Sequence, residues 1–135
     1  MLSHHALSAI AGVINEDEDT VFIYADEDIE NENGIRESGF MKPDWSPDTF
    51  YASGYTGTMG VFKTSFVKDY IEKHVSDKDL MNELSLLGLY KMVLYASKEG
   101  KVRHISRVLY HTGSFDVYTD RQILERYLDS CNIKF

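Results

Sequence analysis

The residues able to do chemistry crowd into one stretch of this chain. Asp26, Glu27 and Asp28 follow directly on a short apolar run, Val21-Phe22-Ile23-Tyr24, which reads as a buried strand. A polar loop containing Asn33-Gly34 then leads to Lys42-Pro43-Asp44-Trp45-Ser46-Pro47-Asp48. Carboxylates just past the C-terminal end of a strand, with a lysine and a tryptophan nearby, are what a sugar or phosphate site would use. Open α/β sheets bind ligands beyond the carboxyl ends of their strands. Each residue also has a plainer role. The three acids could anchor loops, Lys42 could pair with Asp26 or Asp28, and Trp45 could pin the Lys42–Asp48 loop instead of stacking on a sugar ring. His111 sits at the end of a later apolar run, where a histidine is either structural or a ligand.

The elements that must position these groups follow from periodicity. Ser3 to Asn15 carries Leu7, Ile10, Ala11 and Ile14 at helical spacing, with Ser3 as a candidate N-cap. Glu16 to Asp19 reads as an acidic, solvated turn. Thr20 to Ala25 is the strand, and Asp26 to Ser38 reads as polar loop with a turn signal at Asn33-Gly34. Ser46-Pro47-Asp48 has the form of a helix start, with Ser at the cap, Pro at the first position and an acid in the first turn. That helix should end near Ser53-Gly54. Met59 to Lys63 predicts a second strand, and Thr64 or Ser65 caps a helix with Phe66, Val67, Tyr70 and Ile71 on its apolar face. Asp77 to Ser97 is the longest helical pattern, with Gly88 inside it and Gly100 closing it. Val102 to Tyr110 reads as a strand with an irregularity near Ser106, and Thr119 to Asp129 as a final amphipathic helix. There is no internal repeat.

At 135 residues the chain has the length of a single domain over 1–135, and its 43% hydrophobic and 27% charged content are those of a globular protein. A net charge of −8 argues against nucleic acid and against anionic membrane surfaces as partners. The lone cysteine, Cys131, allows neither an internal disulfide nor a cysteine-built zinc site, which fits a cytoplasmic setting. No apolar run approaches the ~20 residues of a membrane span. The opening MLSHHALSAIAGVI lacks a basic leader and reads as helix. His4 and His5 are adjacent, so on a helix they would not share a face as a metal pair.

Tyr24-Ala25-Asp26-Glu27-Asp28 followed by Lys42-Pro43-Asp44-Trp45-Ser46-Pro47-Asp48 resembles the family 2 glycosyltransferases of the GT-A fold, in their polysaccharide and O-antigen type. The family's pattern there is YSDED, a short loop, then KPDWSPD. His5-Ala6-Leu7 is similar to the family's helix-opening HAL. His104-Ile105-Ser106-Arg107-Val108-Leu109-Tyr110-His111 is similar to its HIPRVLYH. The resemblance spans Leu2 to His111.

The resemblance implies an α/β fold: the acceptor-side part of a GT-A domain, with a small mixed sheet flanked by helices. It implies transfer of a sugar from a nucleotide-sugar donor to a glycan acceptor, with a divalent cation (Mg or Mn) in the complete enzyme. Asp26, Glu27, Asp28, Lys42, Asp44, Trp45, Tyr55 and His111 would then lie on the substrate side, with no metal ligand assigned among them. The sequence departs from the family in three places. The metal motif LDHDD belongs just before the HAL helix, outside this sequence, as does the nucleotide-holding half. The segment QDYDL, which carries the family's presumed general base, falls on Leu89-Tyr90-Lys91-Met92, where both acid positions are lost. The family's NYIGH loop is Gly54-Tyr55-Thr56-Gly57-Thr58 here. These departures imply an incomplete or inactive transferase, with no catalytic residue assigned. The alternative is a degenerate, non-enzymatic module that binds a glycan or a partner protein. Edges left by the missing half would favour homo-oligomers.

Overall fold

The computed structural model describes residues 1–74 and 86–113. In chain order the elements are α1 (Ala6–Glu16), β1 (Thr20–Glu30), β2 (Arg36–Phe40), α2 (Pro47–Ser53), β3 (Gly60–Phe62), α3 (Thr64–His74), α4 (Leu86–Glu99) and β4 (Lys101–Thr112). The expected helix at Thr119–Asp129 and the first part of the Asp77–Ser97 pattern lie outside the described residues.

β1 is the axis of a four-stranded mixed sheet. One of its edges pairs in parallel with β4 from Thr20 to Ile29. The other edge pairs antiparallel with β3 over Phe22–Tyr24 and then with β2 over Glu27–Glu30. Alternate side chains of a strand point to opposite faces, and both faces of β1 are covered. Phe22 and Tyr24 pack with Phe50 of α2, Phe66 and Tyr70 of α3, and Tyr90, Val93 and Leu94 of α4. Ile23 and Ala25 pack with Ala6 and Ile10 of α1, Met59, and Ile105 and Leu109 of β4. Two-sided burial explains why the start of β1 is continuously apolar rather than alternating. Each fully buried side chain such as Phe22 or Ile23 contributes about 1.5–3 kcal/mol through burial.

α2 starts and stops as its sequence predicts. Ser46 Oγ accepts from Thr49 N at 3.4 Å, Pro47 occupies the first turn, and Gly54 closes the helix in the left-handed region at φ 58°. The irregularity near Ser106 is also present. β1 advances one residue from Ala25 to Asp26 while β4 advances from Ile105 to Val108, so Ser106 and Arg107 bulge out of the ladder.

The structure corrects four sequence expectations. β1 does not stop at the carboxylates but runs through them to Glu30, because each acid finds a donor inside the fold. The stretch expected as loop therefore forms a hairpin with β2, turned at Asn31, whose side chain accepts from Asn33 N at 2.9 Å and Ile35 N at 3.0 Å. Ser3 does not cap α1. Its N–H donates to Leu109 O at 2.9 Å, and residues 1–3 lie along the outer edge of β4 instead. On α3, Phe66 and Tyr70 are buried but Ile71 is 40% exposed. Among the described residues no helix is long and apolar enough to cross a membrane.

Candidate functional site

Asp26, Glu27 and Asp28 are consecutive on β1 and all buried. Three adjacent carboxylates out of water would be prohibitive unless each were paired. Each is paired, and by a different part of the chain.

Glu27 meets Lys42. The ammonium lies 3.3 Å from Glu27 Oε1, and both side chains are shut off from solvent. Lys42 Nζ also donates to Ala25 O at 2.6 Å and Thr56 O at 2.8 Å, which accounts for its three hydrogens. Burial pushes the Lys42 amine below its ordinary value, and the Glu27 charge opposes that shift. Glu27 also accepts from Thr58 N, at 3.2 Å to Oε2. A Cβ on Gly57, whose φ is +76°, would collide with both Glu27 Oε1 and Lys42 Nζ. Only glycine lets this loop close over the ion pair.

Asp26 meets the loop backbone and His104. Its Oδ1 accepts from Lys42 N at 2.8 Å and lies 2.8 Å from His104 Nε2. The other ring nitrogen, Nδ1, lies 3.0 Å from Asp44 Oδ1. The His104 side chain is 4% exposed, whereas that of Asp44 is 91% exposed. His104 thus links a buried acid to an exposed one, and donating to both takes an N–H on each nitrogen. Its ring stacks on Tyr24 at 4.9 Å and 15°, as their pairing across β1 and β4 dictates.

The rest of the Lys42–Ser46 loop is fixed just as closely. Tyr24 Oη donates to Pro43 O at 2.7 Å, and burial, reinforced by Tyr55, pushes the Tyr24 hydroxyl far above its ordinary value. Tyr55 Oη accepts from Ser46 N at 2.9 Å and donates to Asp44 O at 3.2 Å. Trp45 is half-buried, with its ring 5.3 Å from that of Phe50 and 6.4 Å from that of Tyr55. Asp44 is therefore a solvent-facing carboxylate on a loop whose main chain is held at Lys42, Pro43, Asp44 and Ser46.

Asp28 meets His111, its partner in the parallel register of β1 and β4. His111 Nδ1 is hydrogen-bonded to Asp28 Oδ1, and its Nε2 is buried with no hydrogen-bond partner among the described residues. A histidine held by a carboxylate on one nitrogen has the other oriented for a further partner. One such nitrogen does not make a cation site. Among the described residues no three His, Cys, Asp or Glu side chains converge as a metal would need. These residues alone do not fit the divalent cation that the resemblance implies.

Of the residues singled out from sequence, the structure gathers Asp26, Glu27, Lys42, Asp44, Trp45 and Tyr55 around one loop. Asp28 and His111 stand as a separate pair further along the strand. Lys42 pairs with Glu27 rather than with either aspartate. His104 went unassigned in the sequence, although it joins the two halves of the cluster. Its place at the head of the His104–His111 motif was the available signal, but its partners lie 78 and 60 residues away in sequence.

No family model matches the chain. It is similar to the O-antigen biosynthesis protein RfbC of Myxococcus xanthus, with 29% identity over 117 residues, covering 78% of this chain and 9% of that protein. The chain therefore spans about a tenth of the length of that relative.

Proposed function

We propose that this chain acts in polysaccharide biosynthesis, as the acceptor-side portion of a family 2 glycosyltransferase domain with the GT-A fold. The single observation that carries this reading is the clasp from buried Asp26 through His104 to exposed Asp44. It holds a carboxylate in solvent beside the middle of the β1–β4 parallel pair, where a sugar hydroxyl could donate to it. The order of the Asp26–Asp28 and Lys42–Asp48 motifs and the likeness to an O-antigen biosynthesis protein support it. In this reading Asp44 and Trp45 face the glycan. Asp26, Glu27, Lys42 and Tyr55 hold the loop that presents them, and Asp28 orients His111 toward whatever completes the site. In this reading residues 1–135 are one folding unit in the cytoplasm, and the outer edge of β2, which no other described strand pairs, takes a further polypeptide or a second copy of the chain. Light scattering over a range of concentrations tests the second copy, and a strictly monomeric species would exclude it.

One observation favours a non-enzymatic module that only binds a glycan or a partner protein. Leu89 is 39% exposed where the resembled family carries an acid, and Tyr90 is buried in the core beside Gly54. Titration calorimetry of the chain with UDP and UDP-sugars, with and without Mn²⁺, and then with acceptor glycosides, tests whether the chain alone holds a nucleotide-sugar or a glycan. Metal-dependent heat would mean that the chain alone forms a nucleotide-sugar site. Its absence, together with binding of acceptor glycosides at the Asp44 loop, is the result expected of an acceptor-side portion. Absence of both would sink the glycan reading.

A further inference from the structure

Two carboxylates meet one imidazole in the Asp26–His104–Asp44 clasp. Nε2 lies 2.8 Å from Asp26 Oδ1, and Nδ1 lies 3.0 Å from Asp44 Oδ1. An ionised carboxylate only accepts, and a neutral imidazole carries a single N–H. The clasp as a whole therefore belongs to the charged ring. Histidine is the side chain whose charge ordinarily changes between about pH 5 and 8.

The surroundings decide which contact gives way when a proton leaves. Asp26 is buried, and stripping it of a donor costs more than freeing a carboxylate that lies in water. Nε2 therefore keeps its hydrogen for Asp26, and Nδ1 becomes the bare nitrogen. The Asp44 side chain is exposed, so water replaces the bond it loses. The ring has a replacement as well. Ser106 Oγ lies 3.4 Å from Nδ1, and a hydroxyl can donate as well as accept. Ser106 is one of the two residues that bulge out of the β1–β4 ladder. Nδ1 thus has an acid to serve the charged ring and a hydroxyl to serve the neutral one.

The other titratable groups nearby are engaged elsewhere or lie in solvent. Tyr24, whose ring stacks on His104, donates to Pro43 O. Tyr55 Oη is bonded to Ser46 N and Asp44 O, and the Lys42 ammonium lies on Glu27. On β4, Arg103 pairs with Glu16 and Asp17, and Arg107 is exposed in the bulge. α4 meets this face of the sheet through Tyr90, Val93 and Leu94, and its Lys91 is also engaged.

We propose that His104 is a pH switch on Asp44: the charged ring holds the Asp44 carboxylate, and the neutral ring turns to Ser106 and releases it. Protonation of a histidine biases a two-state contact in this way. The loop main chain stays fastened through Tyr24 and Tyr55, so the side chain of Asp44 is what the switch frees.

The test is NMR of the full chain over about pH 5 to 8, following both ring nitrogens of His104 and the side-chain carboxyl carbon of Asp44. The two should change together, with one midpoint. In His104→Gln, whose amide can still donate to Asp26, the Asp44 carboxyl should no longer respond over that range. At a fixed pH, Asp44→Asn should lower the ratio of charged to neutral His104 about threefold, as for an ion pair with one partner in water. Ser106→Ala should raise the same ratio about threefold, because only the neutral ring loses a partner. A purely structural role for His104 would not give these opposite shifts. The proposal is overturned by a single charge state of His104 across the range, or by an Asp44 carboxyl that titrates apart from the ring or still responds in His104→Gln. It is equally overturned if either Asp44→Asn or Ser106→Ala leaves the ratio unchanged or moves it the other way. The measurement involves no ligand, so its failure would leave glycan binding to be decided by calorimetry.

Discussion

Lys42 Nζ stands 3.3 Å from Glu27 Oε1, with both side chains closed to water. Neither charge is there for solubility. Together they fasten the Lys42–Ser46 loop and the Thr56–Thr58 turn to the middle of the sheet. Buried pairs of this kind gain little over an apolar pair, but breaking one leaves an uncompensated charge. Glu27→Gln and Lys42→Met are each expected to cost about 3–5 kcal/mol of unfolding free energy in urea titrations. The double change Glu27→Leu/Lys42→Met should recover part of that loss, because no lone charge remains. It should not recover all of it, because Ala25 O and Thr56 O lose their donor. A double mutant as unstable as the sum of the two singles would show that the pair acts independently of its charges.

His104 divides unequally between its two acids. On the Asp26 side the contact is buried, and His104→Ala strips a charged acceptor of a donor, at an expected cost of about 1.5–3 kcal/mol. On the Asp44 side the carboxylate is in water, and Asp44→Ala should change stability by only about 0.5 kcal/mol either way. Paired denaturation curves check this. A large cost from Asp44→Ala would mean that the exposed acid carries fold stability, and the case for it as a solvent-facing ligand group would fall.

Gly57 is where the site least tolerates change. Its φ of +76° already disfavours any side chain, and the space a Cβ would need belongs to Glu27 and Lys42. Gly57→Ala is expected to cost about 1–3 kcal/mol in backbone strain alone, with displacement of the ion pair added. Gly12 has open space around its would-be Cβ and lies inside α1. Gly12→Ala should therefore stabilise by up to about 1 kcal/mol through helix propensity. Thermal melts of the two variants should move in opposite directions.

Much of this architecture could be read in the sequence, for local reasons. The Ser46-Pro47 start and Gly54 stop of α2 are written in adjacent residues, as is the apolar start of β1. The bulge near Ser106 showed itself as a break in alternation. What stayed hidden depends on distant partners. Three acids in a row look like loop unless one knows that Lys42, His104 and His111 will arrive to satisfy them. β2 is exposed, holds a glycine and has no alternating pattern, and it exists because the second half of β1 needs a neighbour. The position of Asp44 was suspected from its motif, but the His104 clasp that holds it required the register of β4 against β1.

The buried core also sets an alkaline limit. Tyr24 holds its proton well above the ordinary 10.0, chiefly through burial. Above pH 10 the unfolded chain therefore loses this proton while the folded chain keeps it. The folded state then binds more protons, so stability falls as pH rises through that region. Lys42 acts with the opposite sign. Burial lowers it from 10.5, so just below that pH the unfolded chain binds more protons and stability rises with pH. Lys101, raised by Asp17, works in the same direction as Tyr24 but lies in solvent and adds little. Urea titrations from neutral pH to about 11 should show stability holding or rising slightly and then dropping. Tyr24→Phe should cost about 1 kcal/mol at neutral pH, from the lost bond to Pro43 O, and should flatten the alkaline drop. An undiminished drop in Tyr24→Phe would assign the alkaline loss to other groups and remove Tyr24 from the account.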